Sequence, residues 1–215
     1  MSQPQTEGAN ASWKVPADMP AAAMHQYVQD RHSQLTSVDA SGSRIDDNVI
    51  ITLASRCPHL QQLNVRATDG KVTSAGIAAI ANECRELRHL NVSYTGSSVT
   101  DQSITLIARR CPQLEHLDVS WTKSVTDDAI TAIANGCPQL QHLDVSSTCG
   151  KVTDAGITAV AQGCPQLQRL DVSFTEGKVT DAAITAVAQR CPQLQRLDVS
   201  RTEGKVTNAG ITAVA

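Results

Sequence analysis

Apolar and polar residues alternate along this chain in two different periods that recur together. In residues 140–145, apolar side chains alternate with polar ones, as they do in a strand with one buried face. Further along, Ile157, Val160 and Cys164 fall at positions i, i+3 and i+7, which is the buried stripe of an amphipathic helix. Each copy of the pattern therefore predicts a short strand followed by a helix.

Cysteine marks the period of the repeat. Six cysteines recur at intervals of 26 or 27 residues: Cys57, Cys84, Cys111, Cys137, Cys164 and Cys191. A shorter copy precedes them and begins at Leu35. Internal self-similarity at a fixed period of this length is the signature of a repeat architecture. The sequence predicts seven units, of which the last is incomplete.

Capping residues and prolines predict where each helix begins and ends. One position between strand and helix holds residue types that bond the free amides of a first helical turn. These residues are Asp47, Ser74, Asp101, Asp127, Asp154, Asp181 and Asn208. The threonine before this position is a second candidate for the cap. Proline follows five of the six periodic cysteines and ends the helix there.

One strand and one helix of this length cannot bury their apolar sides alone, so the copies must stack. Helices are wider than the spacing of about 4.8 Å between neighbouring strands. The stack must therefore curve. The predicted fold is an α/β solenoid, a curved β-α superhelix with a parallel sheet on its concave face and helices on its convex face.

The consensus LxxLxVxxT, followed by VTDxGIxxVAxxC, resembles the cysteine-containing leucine-rich repeats of the ribonuclease-inhibitor-like superfamily. The resemblance covers residues 35–215. This subtype is most similar to the substrate-recognition half of F-box adaptors in SCF ubiquitin ligases, although residues 1–34 lack the length and the Leu-Pro opening of an F-box. The resemblance implies a non-catalytic module that binds a protein partner, and by analogy it implies substrate recognition for a ubiquitin ligase.

The chain divides into three predicted regions. Residues 1–17 are rich in Gln, Pro, Ala and Ser and are predicted to be disordered. Residues 18–34 are predicted to form a capping helix, with Pro20 tolerated in its first turn. The leucine-rich-repeat domain is predicted over residues 35–215.

Composition and charge exclude several classes of function. Hydrophobic residues make up 41% of the chain, and the formal net charge is −3 without a basic cluster. Nucleic-acid binding is therefore not expected, because it needs a concentrated basic face. No segment is apolar enough for a signal peptide or a membrane span. An odd number of cysteines, seven, favours a reducing compartment. The expected location is cytoplasmic or nuclear, with no membrane partner.

Three columns of side chains flank the buried strand residues and are predicted to point out of the concave sheet. The first column is Ser37, Gln62, His89, His116, His142, Arg169 and Arg196. The second column is Asp39, Asn64, Asn91, Asp118, Asp144, Asp171 and Asp198. The third column is Ser41, Arg66, Ser93, Ser120, Ser146, Ser173 and Ser200. We expect the histidines and arginines of the first column, together with Arg66, to contact the partner.

A fourth column just beyond the strand varies far more than the others. Its members, here called the rim column, are Ala67, Tyr94, Trp121, Ser147, Phe174 and Arg201. Aromatic and arginine side chains dominate the energetics of protein interfaces, so we predict that Tyr94, Trp121, Phe174 and Arg201 bind the partner. The alternative is that the rings merely pack over the corner between strand and loop.

The remaining candidates for chemistry have structural explanations. The periodic cysteines lie on the buried helical stripe, where Cys behaves as a small hydrophobic residue, whereas Cys149 is predicted to be exposed. A flat row of histidines does not converge as a metal site requires, although it predicts imidazoles that resist being charged together. No catalytic constellation, cofactor or metal is predicted. The alternative to a binding module is a structural spacer array without a dedicated ligand.

Overall fold

Eight parallel strands form one sheet in the computed structural model, which describes residues 11–30 and 35–214. The strands are β1 (Ala11–Lys14), β2 (Leu35–Asp39), β3 (Gln62–Asn64), β4 (His89–Asn91), β5 (His116–Asp118), β6 (His142–Asp144), β7 (Arg169–Asp171) and β8 (Arg196–Asp198). They pair in sequence order from β1 to β8. Such an order places each unit against only the units before and after it, as in a solenoid.

A helix follows every strand and packs on the helix of the next unit. The helices are α1 (Ala21–Asp30), α2 (Asp47–Arg56), α3 (Ser74–Glu83), α4 (Asp101–Arg110), α5 (Asp127–Gly136), α6 (Asp154–Gly163), α7 (Asp181–Arg190) and α8 (Asn208–Val214). The longest of them have ten residues and measure about 15 Å. Across the described ranges, no helix has the length and apolar character needed to cross a bilayer.

Equivalent residues of successive units lie in register across the sheet. His89 pairs with His116, and His116 pairs with His142. Leu117 pairs in the same way with Leu143. Because the register never shifts from β2 to β8, each repeated position forms a straight column of side chains.

A single apolar core runs between the sheet and the helices. In the unit that contains β6 and α6, Leu140, Val145, Ile157 and Val160 are completely buried, and Leu143 is nearly so. Full burial of such a side chain stabilises a fold by roughly 1.5–3 kcal/mol. The predicted strand and helix stripes are confirmed, because the same positions are buried in the neighbouring units.

The periodic cysteines belong to this core. The Cys137 thiol points to the backbone oxygen of Cys111 at 3.6 Å, and the Cys164 thiol points to that of Cys137 at 3.7 Å. Burial raises the pKa of both thiols to about 12. They are therefore protonated packing groups, as predicted. Cys149 is exposed, which confirms the second prediction about cysteine.

The helix caps lie one residue earlier than the predicted capping column, which instead supplies the first residue of each helix. The Thr126 hydroxyl oxygen accepts a hydrogen bond from the Asp128 amide at 3.2 Å, so Thr126 is the cap of α5. Asp127 instead accepts hydrogen bonds from the amide of Thr153 at 2.8 Å and from its hydroxyl at 2.6 Å. The aspartate prediction was wrong, because this carboxylate joins one unit to the next and leaves the capping to threonine.

This joint also explains a glycine in the helical consensus. The Gly156 amide donates to the same Asp127 oxygen at 3.0 Å. A Cβ atom at Gly156 would lie only 2.5 Å from that oxygen. Gly76 approaches Asp47 in the same way, at 2.5 Å. Glycine is therefore present where the carboxylate of the preceding unit comes closest to the helix.

The unit formed by β1 and α1 corrects the prediction of a disordered tail over residues 1–17 in its second part, from Ala11 onward. Trp13 is buried in β1 and stacks on Tyr27 of α1, with ring centroids 4.3 Å apart. Trp13 and Val15 alternate with polar residues, as the apolar residues of the later strands do. The described residues thus contain eight strand–helix units, and α1 lies inside the predicted capping helix of residues 18–34. Residues 1–10 and 31–34 lie outside the described residues.

Candidate functional site

The second column, here called the aspartate column, has a structural role at the end of each strand. The Asp118 carboxylate accepts hydrogen bonds from the Ser120 amide at 2.9 Å and from the Ser120 hydroxyl at 2.7 Å. Its second oxygen accepts a hydrogen bond from the Asn91 side chain at 2.8 Å. The bond to the amide two residues later recurs at Asp39, Asn64, Asn91, Asp144, Asp171 and Asp198. This column is uniform because its side chain turns the backbone out of the strand.

Most serines of the third column are not exposed on the sheet as predicted. Ser93, Ser120, Ser146 and Ser173 are buried, whereas Ser200 in the last unit is exposed. The hydroxyls of Ser93 and Ser120 bond the Asn or Asp two residues earlier, and this contact holds them in the turn. Arg66 has no such bond, and its side chain is exposed.

The first column, here called the histidine column, lies on the concave face, in a groove of about 790 Å³. His89 and His116 stack with ring centroids 4.1 Å apart, and His142 meets His116 edge-on at 3.7 Å. Arg169 and Arg196 continue the column and are exposed. The first column is therefore a partly buried aromatic strip that ends in two cations.

Burial and mutual repulsion keep these imidazoles neutral. Partial burial first, then the proximity of His89 and His142, lowers the pKa of His116 to about 4. The pKa values of His89 and His142 are also lowered, in both cases mainly by burial. The predicted resistance to charging is confirmed in direction, but desolvation is its largest cause.

Asp144 shows the opposite perturbation on the same face. Burial raises the pKa of its carboxyl to about 6, and the neighbouring Asp118 and Asp171 add to the effect against the hydrogen bonds from Ser146. Among the hydrogen bonds of the described residues, none joins a histidine of the first column to an aspartate of the second. The Asp118 and Asp144 carboxylates instead accept hydrogen bonds from Ser120 and Ser146.

His89, Glu115 and His116 are the one group of potential metal ligands found within the described residues. Their ligand atoms lie within 4.8 Å of one another. Arg88 already binds the Glu115 carboxylate at 2.5 Å, and its positive charge opposes a cation there. His116 and His89 are also stacked in parallel, an arrangement that differs from convergence on one tetrahedral centre. The absence of a metal stays a prediction.

The rim column lies where the chain turns away from each strand, in a left-handed backbone conformation. The φ angle is +58° at Tyr94, +55° at Trp121 and +54° at Phe174, and Ala67, Ser147 and Arg201 share it. The amides of all members but Arg201 donate to the next unit, for example from Trp121 to the Ser146 oxygen at 3.1 Å. These five members therefore have the same backbone function, whatever their side chains.

The aromatic side chains of the rim column stack along the edge of the sheet. Tyr94 and Trp121 lie face to face with ring centroids 5.1 Å apart, and the Arg66 guanidinium lies 4.7 Å from the Tyr94 ring. The Arg201 guanidinium lies 5.5 Å from the Phe174 ring. The three rings remain 42%, 49% and 48% exposed. The structure thus groups Arg66 with Tyr94 and Trp121, and Phe174 with Arg201.

Threonine, rather than the aromatic rings, closes the corner below the rim. The Thr95 hydroxyl donates to the Val92 oxygen at 2.7 Å, and the Thr175 hydroxyl donates to the Val172 oxygen at 2.9 Å. Thr122, Thr148 and Thr202 make the equivalent bond. Thr68 is buried without such a partner. The corner therefore has its own polar closure, independent of the side chain on the rim.

A second cleft opens at the rim, and part of its lining was not predicted from the sequence. It measures about 470 Å³ and lies beside Trp121, Ser147 and Phe174. Its other lining residues are Lys123, Cys149, Glu176, Arg201 and Glu203. Apart from Arg201, each of these residues lies two positions after a member of the rim column. This constant spacing is a signal in the sequence that could have identified them.

A parallel concave sheet, stacked convex helices and the repeated leucine, valine and cysteine core together define a leucine-rich-repeat solenoid. A family model described as the SKP2 LRR domain matches residues 14–203. The chain therefore belongs to this family of leucine-rich-repeat domains. No curated protein sequence matches it significantly.

Solved structures support the fold at low sequence identity. A chain from the crystal structure of the Rad7 and Elc1 complex in yeast is 19% identical, with a TM-score of 0.73 over 93% of this chain and 51% of that chain. Internalin C2 from Listeria monocytogenes is 16% identical, with a TM-score of 0.58 over 78% of this chain and 62% of the internalin. The chain spans about half the length of the yeast protein.

Proposed function

We propose that this domain binds a protein partner through its concave face and rim column, without catalysing a reaction. The observation that supports this proposal is the row of half-exposed rings at Tyr94, Trp121 and Phe174. Neither the core nor the corner requires these rings, because threonine closes the corner. Exposed aromatic and arginine side chains that are free of structural duties are typical of binding hot spots.

The backbone conformation of the rim strengthens this argument. A left-handed conformation costs a residue other than glycine about 1–2 kcal/mol. Three large rings nevertheless lie there, where glycine would relieve the cost. Backbone strain of this kind persists mostly at functional positions. Ala67 and Ser147 have the same φ without a ring, so the backbone conformation does not require an aromatic side chain, and local stability does not explain the three rings.

The concave histidine and arginine column extends the proposed surface. His89, His116 and His142 offer a neutral aromatic strip, and Arg169 and Arg196 offer cations. A partner that covers both the groove and the rim would meet apolar, aromatic and positive groups in one continuous band. This composition matches the core of a protein interface.

Membership of the SKP2 LRR family supports a more specific role, in which the domain recognises substrates for an SCF-type ubiquitin ligase in the cytoplasm or nucleus. The natural protein would then co-purify with ligase subunits from cells. Recovery of the partner without any ligase subunit would exclude this role and leave the binding module intact.

The test of binding is capture of a partner by the immobilised domain. Substitution of Tyr94, Trp121 and Phe174 by Ala is expected to lower capture at least tenfold, since a hot-spot residue contributes about 2 kcal/mol or more. Ile51→Ala is the matched control, because Ile51 is an equally exposed apolar residue on the convex helix α2. Unchanged capture by a folded triple variant would overturn the proposal. Absence of any specific partner would favour the spacer array.

A further inference from the structure

Ser147 is a position in the rim column without a ring, between two units that carry one. The order along the edge is Arg66, Tyr94 and Trp121, then Ser147, then Phe174 and Arg201. Tyr94 and Trp121 are one unit apart, with centroids at 5.1 Å. Trp121 and Phe174 are two units apart, so two such steps separate them by about 10 Å. Ser147 is too short to fill the space between them.

The width of this space suits one flat group. A planar side chain midway between Trp121 and Phe174 would lie about 5 Å from each ring, which is within the range of stacking and cation–π contact. The space belongs to the rim cleft of about 470 Å³, so residues beside the inserted side chain also find room. Ser147 and Cys149 line the cleft between the two rings.

Two observations indicate which flat side chain would fit this space: the charged residues around it and the stacks that this chain already contains. Arg66 caps the outer face of Tyr94, and Arg201 caps that of Phe174, so a guanidinium already ends both stacks. Glu176 extends back over the loop after Ser147, with one oxygen 3.2 Å from the place of a Cβ on Gly150. No ion pair holds Glu176 within the described residues. Two cations, Lys123 and Arg201, and a second carboxylate, Glu203, also line the cleft.

We propose that the gap over Ser147 receives an arginine side chain of the partner, stacked between Trp121 and Phe174 and paired with Glu176. Arginine fits better than lysine, because its guanidinium is flat, weakly hydrated and able to stack on aromatic faces. This inference rests on the proposed function and names the anchoring residue of the partner.

The two tryptophans of the chain provide a direct assay. In the ¹⁵N-labelled domain, the exposed Trp121 indole reports on the gap, and the buried Trp13 indole is an internal control. The probes are blocked tripeptides with a central Arg, Lys or Phe between glycines. We expect the Arg peptide to shift the Trp121 signal at millimolar concentrations, with the Lys peptide at least threefold weaker.

Two variants test the position and the chemistry. Ser147→Phe fills the gap, and the backbone tolerates it, because Phe174 has the same φ of 54° at the equivalent position. It should weaken Arg-peptide binding at least tenfold, whereas Ala67→Phe, the same change at the far end of the rim column, should not. Glu176→Gln should weaken the Arg peptide severalfold and leave the Phe peptide unchanged.

The outcomes separate this inference from the proposed function. A Phe peptide that shifts Trp121 as strongly as the Arg peptide would overturn the choice of arginine. Equal Arg-peptide binding by Ser147→Phe and the unmodified domain would overturn the gap as the site. If partner capture then still depended on Tyr94, Trp121 and Phe174, the proposed function would stand and only this inference would fail.

Discussion

The aspartate column and the rim column lie three residues apart in every unit, yet one is nearly constant and the other varies. The position of Asp118 holds Asp or Asn in every unit from β2 to β8 because its side chain bonds the backbone of the residue two positions later, here Ser120. Trp121, in contrast, serves the fold through its backbone amide, and its ring stacks on Tyr94 but stays half exposed. A repeated side chain therefore indicates a bond within the fold, and a variable one at a fixed backbone geometry indicates a surface available for recognition.

The largest difference should appear when each column loses a side chain in the same unit. Asp118→Ala removes three hydrogen-bond partners and is expected to lower the free energy of unfolding by about 2–3 kcal/mol, because a hydrogen bond to a charged group contributes about 1.5–3. Trp121→Ala should lower it by less than about 1 kcal/mol. Urea unfolding measures both. Equal losses would contradict the division between the columns.

The joint between units gives a second contrast, on adjacent residues of α5. Asp127→Ala should lower the free energy of unfolding by about 2 kcal/mol, because Thr153 and Gly156 lose their acceptor. Asp128→Ala should change it by less than about 0.5 kcal/mol, since this side chain is exposed. Both positions lie in the first helical turn, so the helix dipole acts on each alike. Thermal unfolding that ranked the two in reverse would refute the joint.

Lowering the pH should change the stability of the domain through two groups on the concave face, His116 and Asp144, which act in opposite directions. The unfolded chain protonates His116 near pH 6.5, but the folded protein does so only near pH 4, so this residue makes stability fall as the pH drops between those values. Asp144 is protonated in the fold below about pH 6 and in the unfolded chain only near pH 3.8, so it makes stability rise over that interval.

Removal of either group should change the free energy of unfolding across this pH range by about 1 kcal/mol, after allowance for solvent screening of these partly exposed side chains. Between pH 6 and pH 4, Asp144→Asn should lose stability more steeply than the unmodified domain, and His116→Gln less steeply. Chemical unfolding at several pH values measures the slopes. Identical slopes for all three proteins would show that neither group is perturbed.

The smallest expected effect concerns the rim backbone. Ser147→Gly should raise the free energy of unfolding by about 0.5 kcal/mol, because glycine adopts a positive φ without the cost that serine has there. The equivalent change at the buried neighbour, Ser146→Gly, should be destabilising. A melting temperature that fell in Ser147→Gly would argue against strain in the rim column.

The sequence predicted those features that repeat. Burial of Leu143, Ile157 and Cys164 followed from their spacing, since a solenoid places identical positions in register. The helix caps were assigned one residue late, because Asp127 and Thr126 are both good capping residues and only the contact with the next unit separates their roles. The β1 strand was missed because it buries Trp13, and Val15 just after it, but has none of the repeated leucines.

Contacts across units were beyond the reach of the sequence. The spacing predicted a row of histidines, but the stacking of His89 on His116 depends on the register and twist of the strands. Similarly, the left-handed conformation at Trp121 gave no signal, because aromatic residues rarely adopt it. The rim column itself was predicted from variation alone, and its role in binding stays a prediction.

The most direct test of the central claim is site-specific photocross-linking to the captured partner. A benzophenone amino acid in place of Phe174 would lie on the rim, and the same amino acid in place of Gln162 would lie on the exposed convex side of α6. We expect cross-linking of the partner at position 174 and none at position 162. Cross-linking at position 162 without cross-linking at position 174 would contradict it.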